Sequence, residues 1–334
     1  MKKHILPFFF YISLEILIFV IMRWNEKERN MERFLSIKET IEKYIDGCQI
    51  KMNMSSNKLM GKSILAGVLI GLGAAASSVA AHAIGNVGIA RLVAAVVFPV
   101  GLMMVIMLGA ELFTGDCLVA MSVIDGKQKI VDVIRLLVSV YIGNFIGASL
   151  LALMIGMSGQ LDYSGGLLGA YTIKVAVSKV NISFSQGMIS GILCNVLVCA
   201  AVLMAMSAKD IAGKLLAVFF TIMLFVTAGF EHCVANMYYI TAGIIAKSNP
   251  EYVQIAMNAY GYTMESMETL NLTNYFLTNL VPVTVGNIIG GAVLFGVPMF
   301  LLNTNKEKVI KRDKKREEVK NDAIYTAVFT DASS

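Results

Sequence analysis

Charge is scarce in this chain of 334 residues. Asp, Glu, Lys and Arg together make up 15% of it, against about 25% in soluble domains. Hydrophobic residues make up 57%, and the mean hydropathy is +0.69. So little charge cannot cover a water-solvated surface, which excludes a soluble enzyme, a nucleic-acid-binding module and a disordered chain. Metal and redox signatures are missing too. The five cysteines (Cys48, Cys117, Cys194, Cys199, Cys233) form no CxxC pair and no zinc spacing, and most sit in apolar runs as small hydrophobes. No paired histidines stand at haem-ligating spacing, no Walker-type loop is present, and no cofactor is expected.

What is present is a set of long apolar runs. A membrane-crossing helix needs about 20 mainly apolar residues, and six regions qualify: 63–85, 92–124, 131–157, 185–207, 214–246 and 279–302. The second and fifth are too long for one straight crossing. Two longer connections, near 158–184 and 248–277, read as loops. Lys and Arg are distributed unevenly: residues 23–60 hold eight, Lys306 to Lys320 hold eight more, and 248–277 holds none. By the positive-inside rule, both ends of the six-span region face the cytoplasm. The basic segment after residue 303 then reads as a disordered cytoplasmic, lipid-facing tail rather than a nucleic-acid-binding one. Ahead of the spans, Ile5–Met22 is an apolar stretch flanked by Lys2, Lys3 and Arg23. It reads equally as a signal segment, an extra hydrophobic helix, or sequence upstream of a start at Met31. Residues 31–60 read as a cytoplasmic amphipathic segment.

The two halves echo each other. Gly143-Asn144-Phe-Ile-Gly147 in the third span resembles Gly286-Asn287-Ile-Ile-Gly290 in the sixth. Ser63-Ile-Leu-Ala-Gly67 resembles Met188-Ile-Ser-Gly191, and Glu111 matches Glu231, 120 residues on. Three spans followed by three imply an inverted repeat, because an odd number of crossings flips the second copy. Corresponding interruptions in such a repeat point to a permeation site near the midplane.

Two such interruptions carry the chemistry. Gly109-Ala-Glu111-Leu-Phe113-Thr114-Gly115-Asp116 places two acids and a hydroxyl at membrane depth, where each charge facing lipid costs about 2.5–3.5 kcal/mol. Gly115 is expected to supply the backbone angles of the break. Its partner is Gly229-Phe-Glu231-His232-Cys-Val-Ala-Asn236. His232 lies beside a break, and histidine is the side chain whose charge changes most readily near neutral pH. Glu111 and Glu231 read as supports of the breaks.

These segments, with Gly191-Ile-Leu-Cys-Asn195-Val-Leu-Val198, resemble the signature segments of the formate/nitrite transporter family, in order, over roughly residues 35–302. The resemblance implies an all-α membrane protein with an aquaporin-like fold: six helices in a 3+3 inverted repeat, the second and fifth broken. It places this channel domain at 61–302 and implies a homopentamer with one pore per protomer. Carried over residue by residue, it makes His232 the central pore histidine, with Thr114 as the hydroxyl beside it and Asn195 in contact with the histidine. Asn287 becomes a polar lining residue, and Lys179 a vestibule lysine that draws anions in. The apolar constrictions fall to Phe98, Leu102, Phe113, Val198 and Phe225. Asp116 departs from the family pattern, where a neutral residue is common.

The implied function is passive or proton-coupled passage of a small monovalent weak-acid anion, nearest to the formate type. Nitrite and hydrosulfide are the alternatives within the family, and the bilayer and protons are the other partners. Two rivals are weaker. A membrane redox protein built on His82, His232 and the cysteines lacks haem-type spacing, and a neutral-solute aquaporin would carry two Asn-Pro-Ala boxes, of which there are none.

Overall fold

In the computed structural model the described residues are 34–304, so the N-terminal apolar stretch and the basic tail lie outside them. Among the described residues the chain is helical, apart from one isolated bridge between Phe34 and Ala208. Six helices among the described residues are long and apolar enough to cross a membrane. The first helix, α1 (Ile37–Met52), starts on a reciprocal capping box between Ser36 and Glu39 and buries Ile41, Tyr44, Ile45 and Cys48 along one face. It precedes the first span, α2 (Ser56–Ala81).

The second apolar region divides into α3 (Val87–Leu108) and a shorter α4 (Phe113–Ile124). Then come α5 (Ile130–Met157), α6 (Leu167–Val180), α7 (Phe184–Ser207) and α8 (Ile211–Ala228). Next, α9 (Cys233–Lys247) and α10 (Pro250–Tyr260) lead to the last span, α11 (Leu272–Asn303). The connections near 158–184 and 248–277, expected as loops, therefore contain α6 and α10. At 14 and 11 residues they are too short for a span, and Tyr252 of α10 lies against Gly166 and Gly169 at the start of α6.

Pairs of spans approach closely where glycines recur. A Cβ built on Gly147 of α5 would overlap the Ile64 carbonyl oxygen of α2, and one on Gly290 of α11 would overlap the Ile192 carbonyl oxygen of α7. Lipid offers helices no hydrophobic gain from associating, so small residues that let backbones touch do that work. These contacts also correct the sequence register. Gly143 packs on Ser63 and Ile64, and Gly286 on Met188 and Gly191. Ser63 therefore corresponds to Gly191, one helical turn from the match read off the sequence.

Within α11, the stretches Tyr275–Leu280 and Ile289–Gly296 are π-helical. Each ends within two residues of a proline, Pro282 or Pro298. A proline lacks the N–H of a regular helical turn, and local widening absorbs that loss within a membrane helix.

Candidate functional site

Both interruptions are built from the same parts. Helix α3 ends at Gly109 (φ 65°), where the Gly109 and Ala110 N–H groups donate to the Ile106 and Val105 carbonyls. Helix α8 ends at Gly229 (φ 74°), where the Gly229 and Phe230 N–H groups donate to the Val226 and Phe225 carbonyls. Each is a left-handed glycine C-cap closing the helix. Gly115, expected to supply those angles, instead lies inside α4 without a positive φ, and its carbonyl accepts from the Tyr44 hydroxyl at 3.3 Å. The chain re-enters helix at Phe113 and at Cys233.

Nonhelical backbone in this region must find partners within the protein, and two asparagines supply most of them. Asn144 Oδ1 accepts from the Phe113 N–H at 2.9 Å, while its Nδ2 donates to the carbonyls of Ser63 and Glu111. Asn287 Oδ1 accepts from the Cys233 N–H at 3.0 Å, while its Nδ2 donates to the carbonyls of Gly191 and Glu231. Both are fully buried. Asn287 therefore braces a break rather than lining a path, and Asn144 does the same. Sequence reading left Asn144 out of the site, although its Gly-Asn repeat with Asn287 carried the signal. Two further N–H groups are met as well: Glu111 N donates to the Lys62 carbonyl and Glu231 N to Ser190 Oγ.

His232 caps α9. Its Nδ1 accepts from the Ala235 N–H at 3.1 Å, and its Nε2 lies 2.9 Å from Thr114 Oγ1. With Nδ1 accepting, a neutral ring carries its hydrogen on Nε2 and donates it to the threonine. His232 and Thr114, 118 residues apart, thus join the two restart helices. Asn195, expected to touch the histidine, instead donates to the Asn287 carbonyl at 2.6 Å.

A cavity of about 160 Å³ runs up to His232, lined also by Phe98, Phe225, Lys179, Asn236 and Tyr239. The Phe98 and Phe225 rings meet edge to face with centroids 5.7 Å apart, and Phe225 stacks on His232 at 6.0 Å. A second cavity of about 410 Å³ is lined by Leu102, Glu111, Asp116, Lys51, Lys62 and Tyr44, among others. Phe98 and Phe225 therefore line one cavity and Leu102 the other. Phe113 and Val198 are buried and line neither cavity; Phe113 packs edge to face on Tyr141 at 4.9 Å.

Charge is paired at both cavities. Lys179 lies near the end of α6 rather than in a loop, and its Nζ sits 3.0 Å from Glu231 Oε1. Its neighbour Asn236 donates to Glu231 Oε2 at 2.6 Å. In the second cavity Lys51 of α1 sits 2.6 Å from Glu111 Oε2 and also pairs with Asp116. Lys51, unnoticed in the sequence, is to Glu111 what Lys179 is to Glu231.

Six apolar spans among the described residues, two interruptions braced by buried asparagines, and two cavities lined by charged and polar side chains mark a polytopic membrane protein. The comparisons narrow the class. The formate/nitrite transporter family profile matches residues 38–301, and the chain belongs to that family. The formate channel FocA of Haemophilus influenzae is 39% identical over 213 residues, 63% of this chain and 73% of that protein. FocA of Escherichia coli K12 is 34% identical, over 64% of this chain and 75% of that one. A solved pentameric formate channel with formate bound superposes with a TM-score of 0.66 at 30% identity, over 74% of this chain and 97% of that chain.

Proposed function

We propose that the protein conducts a small monovalent weak-acid anion, formate, through a pore in each protomer, passing the Phe98–Phe225 pair and His232. The observation that carries this reading is the Thr114–His232 pair at the end of a cavity also lined by Lys179, whose ion-pair partner is Glu231. A bare anion between phenyl rings would lose its hydration at a cost of several kcal/mol. The Nε2–H of His232, held toward the path by the α9 cap, offers a donor in place of water, and the Thr114 hydroxyl supplies a second. Lys179, braced by Glu231, adds a cation ahead of the rings. Hydrogen bonding from a neutral histidine is the favoured form of assistance: a charged ring would carry hydrogens on both nitrogens and lose the Ala235 contact. Formate itself arrives from bulk solution with its proton or takes one up in the cavity, so flux follows the proton gradient.

The FocA relatives and the pentameric formate channel support formate as the anion and five copies as the assembly. The exposed apolar row Ile134, Val138, Ile142, Ile146 and Leu150 along α5 suits burial against lipid or a neighbouring copy. The Lys/Arg asymmetry of the sequence supports a cytoplasmic side for α1. Liposomes containing the purified protein test the reading: formate flux above that of empty liposomes is expected, with nitrite and hydrosulfide measured alongside. Equal or greater flux of either competitor would reassign the substrate within the family, and no flux of any of the three would end the reading.

A further inference from the structure

Each cavity is bordered by a Lys–Glu ion pair, and the polar residue beside the pair differs by one atom type. In the cavity of His232, Lys179 pairs with Glu231, and the neutral amide of Asn236 donates to that carboxylate. In the other, Lys51 pairs with Glu111, and the residue in the place of Asn236 is Asp116. The spacings agree: 128 residues separate the lysines, and 120 separate both Glu111 from Glu231 and Asp116 from Asn236. The Asp116 carboxyl lies within hydrogen-bonding reach of Glu111. Both residues are buried, and Asp116 Oδ2 finds no N–H or O–H donor among the described residues. An ionised Asp116 would leave two carboxylates on one lysine and a lone pair facing a lone pair. A protonated one donates to Glu111 as the Asn236 amide does to Glu231, and leaves one carboxylate charge on Lys51, as Glu231 leaves one on Lys179.

We propose that Asp116 and Glu111 form a proton-binding site in the cavity beside α1, holding one proton between them when that side is acidic and releasing it to cavity water when it is alkaline. The consequence for transport rests on the anion-channel reading. Without the proton, a second negative charge stands beside Lys51 and opposes entry of an anion; with it, Lys51 is balanced by Glu111 alone. The other groups facing Asp116 leave it as the one that changes. From α1 come Lys51, Tyr44 and Cys48; burial pushes the Cys48 thiol up to about 12 and the Tyr44 phenol well above its ordinary value, so both keep their protons. Lys62 of α2 reaches Glu111 at 4.0 Å, Cys117 adjoins Asp116 in the chain, and Cys199 comes from α7. Lys43 and Lys214 line the same cavity.

Infrared difference spectra of the protein in lipid, recorded through a pH titration, read the proton directly. A protonated-carboxyl C=O band that shifts in deuterium oxide, vanishes at alkaline pH and is absent from Asp116→Asn is expected. In parallel, formate flux into vesicles of defined orientation is measured against the pH on the α1 side. The wild type should gain flux with acidification there, and Asp116→Asn, which carries the amide permanently, should lose that part of the dependence. A wild-type spectrum with no band removed by Asp116→Asn overturns the proposal, as does a variant with the wild-type pH profile. If the wild type passes no formate, the transport reading falls and the spectrum alone decides the proton site.

Discussion

Asn144 and Asn287, half a molecule apart in sequence, make the same three hydrogen bonds. Each accepts from the first N–H of a restarting helix and donates to two carbonyls, one of them the carbonyl of the glutamate in that break. Removing either leaves one donor and two acceptors without partners in a buried region, each worth about 1–3 kcal/mol. Asn144→Ala and Asn287→Ala should each lower the thermal unfolding midpoint of the detergent-solubilised protein, by comparable amounts. A large loss for one and none for the other would show that the two breaks are not equivalent.

His232 performs two tasks that substitution can separate. Asparagine can cap α9 through Oδ1 and still present an amide donor, whereas phenylalanine can do neither. His232→Asn should keep its thermal stability and some formate flux. His232→Phe should lose the cap, at about 0.5–2 kcal/mol, together with flux. Unfolding curves and liposome flux on the same preparations check both halves.

Thr114 supplies the oxygen that receives the histidine hydrogen at 2.9 Å. Thr114→Ser retains it and Thr114→Val removes it at nearly constant volume. Loss of one hydrogen bond to a charged group is worth about 1.5–3 kcal/mol, so Thr114→Val should slow formate roughly ten- to a hundredfold while Thr114→Ser stays near wild type. Equal flux in both variants would remove the hydroxyl from the proposed path.

Lys179 and Glu231 should behave as a coupled pair. Lys179→Ala leaves the Glu231 carboxylate without its cation, and Glu231→Gln removes the charge that Lys179 balances. Each single change should reduce formate flux, and the double variant should fall short of the product of the two effects, because pairs in contact are not additive. Flux on the four proteins of the cycle measures the coupling.

The close approach of α2 and α5 predicts a graded effect of adding a single methyl. Gly147→Ala forces its Cβ into the Ile64 carbonyl and should cost about 1–3 kcal/mol as overpacking. Gly61→Ala, with nothing within 4 Å of its Cβ, should be neutral or mildly stabilising. Thermal unfolding of the two variants compares them directly.

The sites of both interruptions were legible from Gly109-Ala-Glu111 and Gly229-Phe-Glu231, because a helix that must stop at membrane depth needs a left-handed glycine and polar partners close by. The same reasoning chose Gly115 for the backbone turn and missed: Gly115 sits in the restarted helix, and only the hydrogen-bond pattern distinguishes the glycine that ends one helix from the one inside the next. Asn195 and Asn287 were recognised as buried polar residues, but their roles depend on which carbonyl lies opposite, and that is decided by helix packing. Lys51 carried no local signal at all, since one lysine in a basic amphipathic segment looks like its neighbours.

By itself the sequence determined the six spans between residues 63 and 302, the two places where they break and the family, because hydropathy, glycine position and motif order are properties of the chain read locally. Tertiary structure decided who meets whom: Thr114 with His232, Lys179 with Glu231, and Lys51 with Glu111 and Asp116. Those partners are 52 to 118 residues apart, and in an apolar interior each buried polar group must find the complement that the packed helices bring to it.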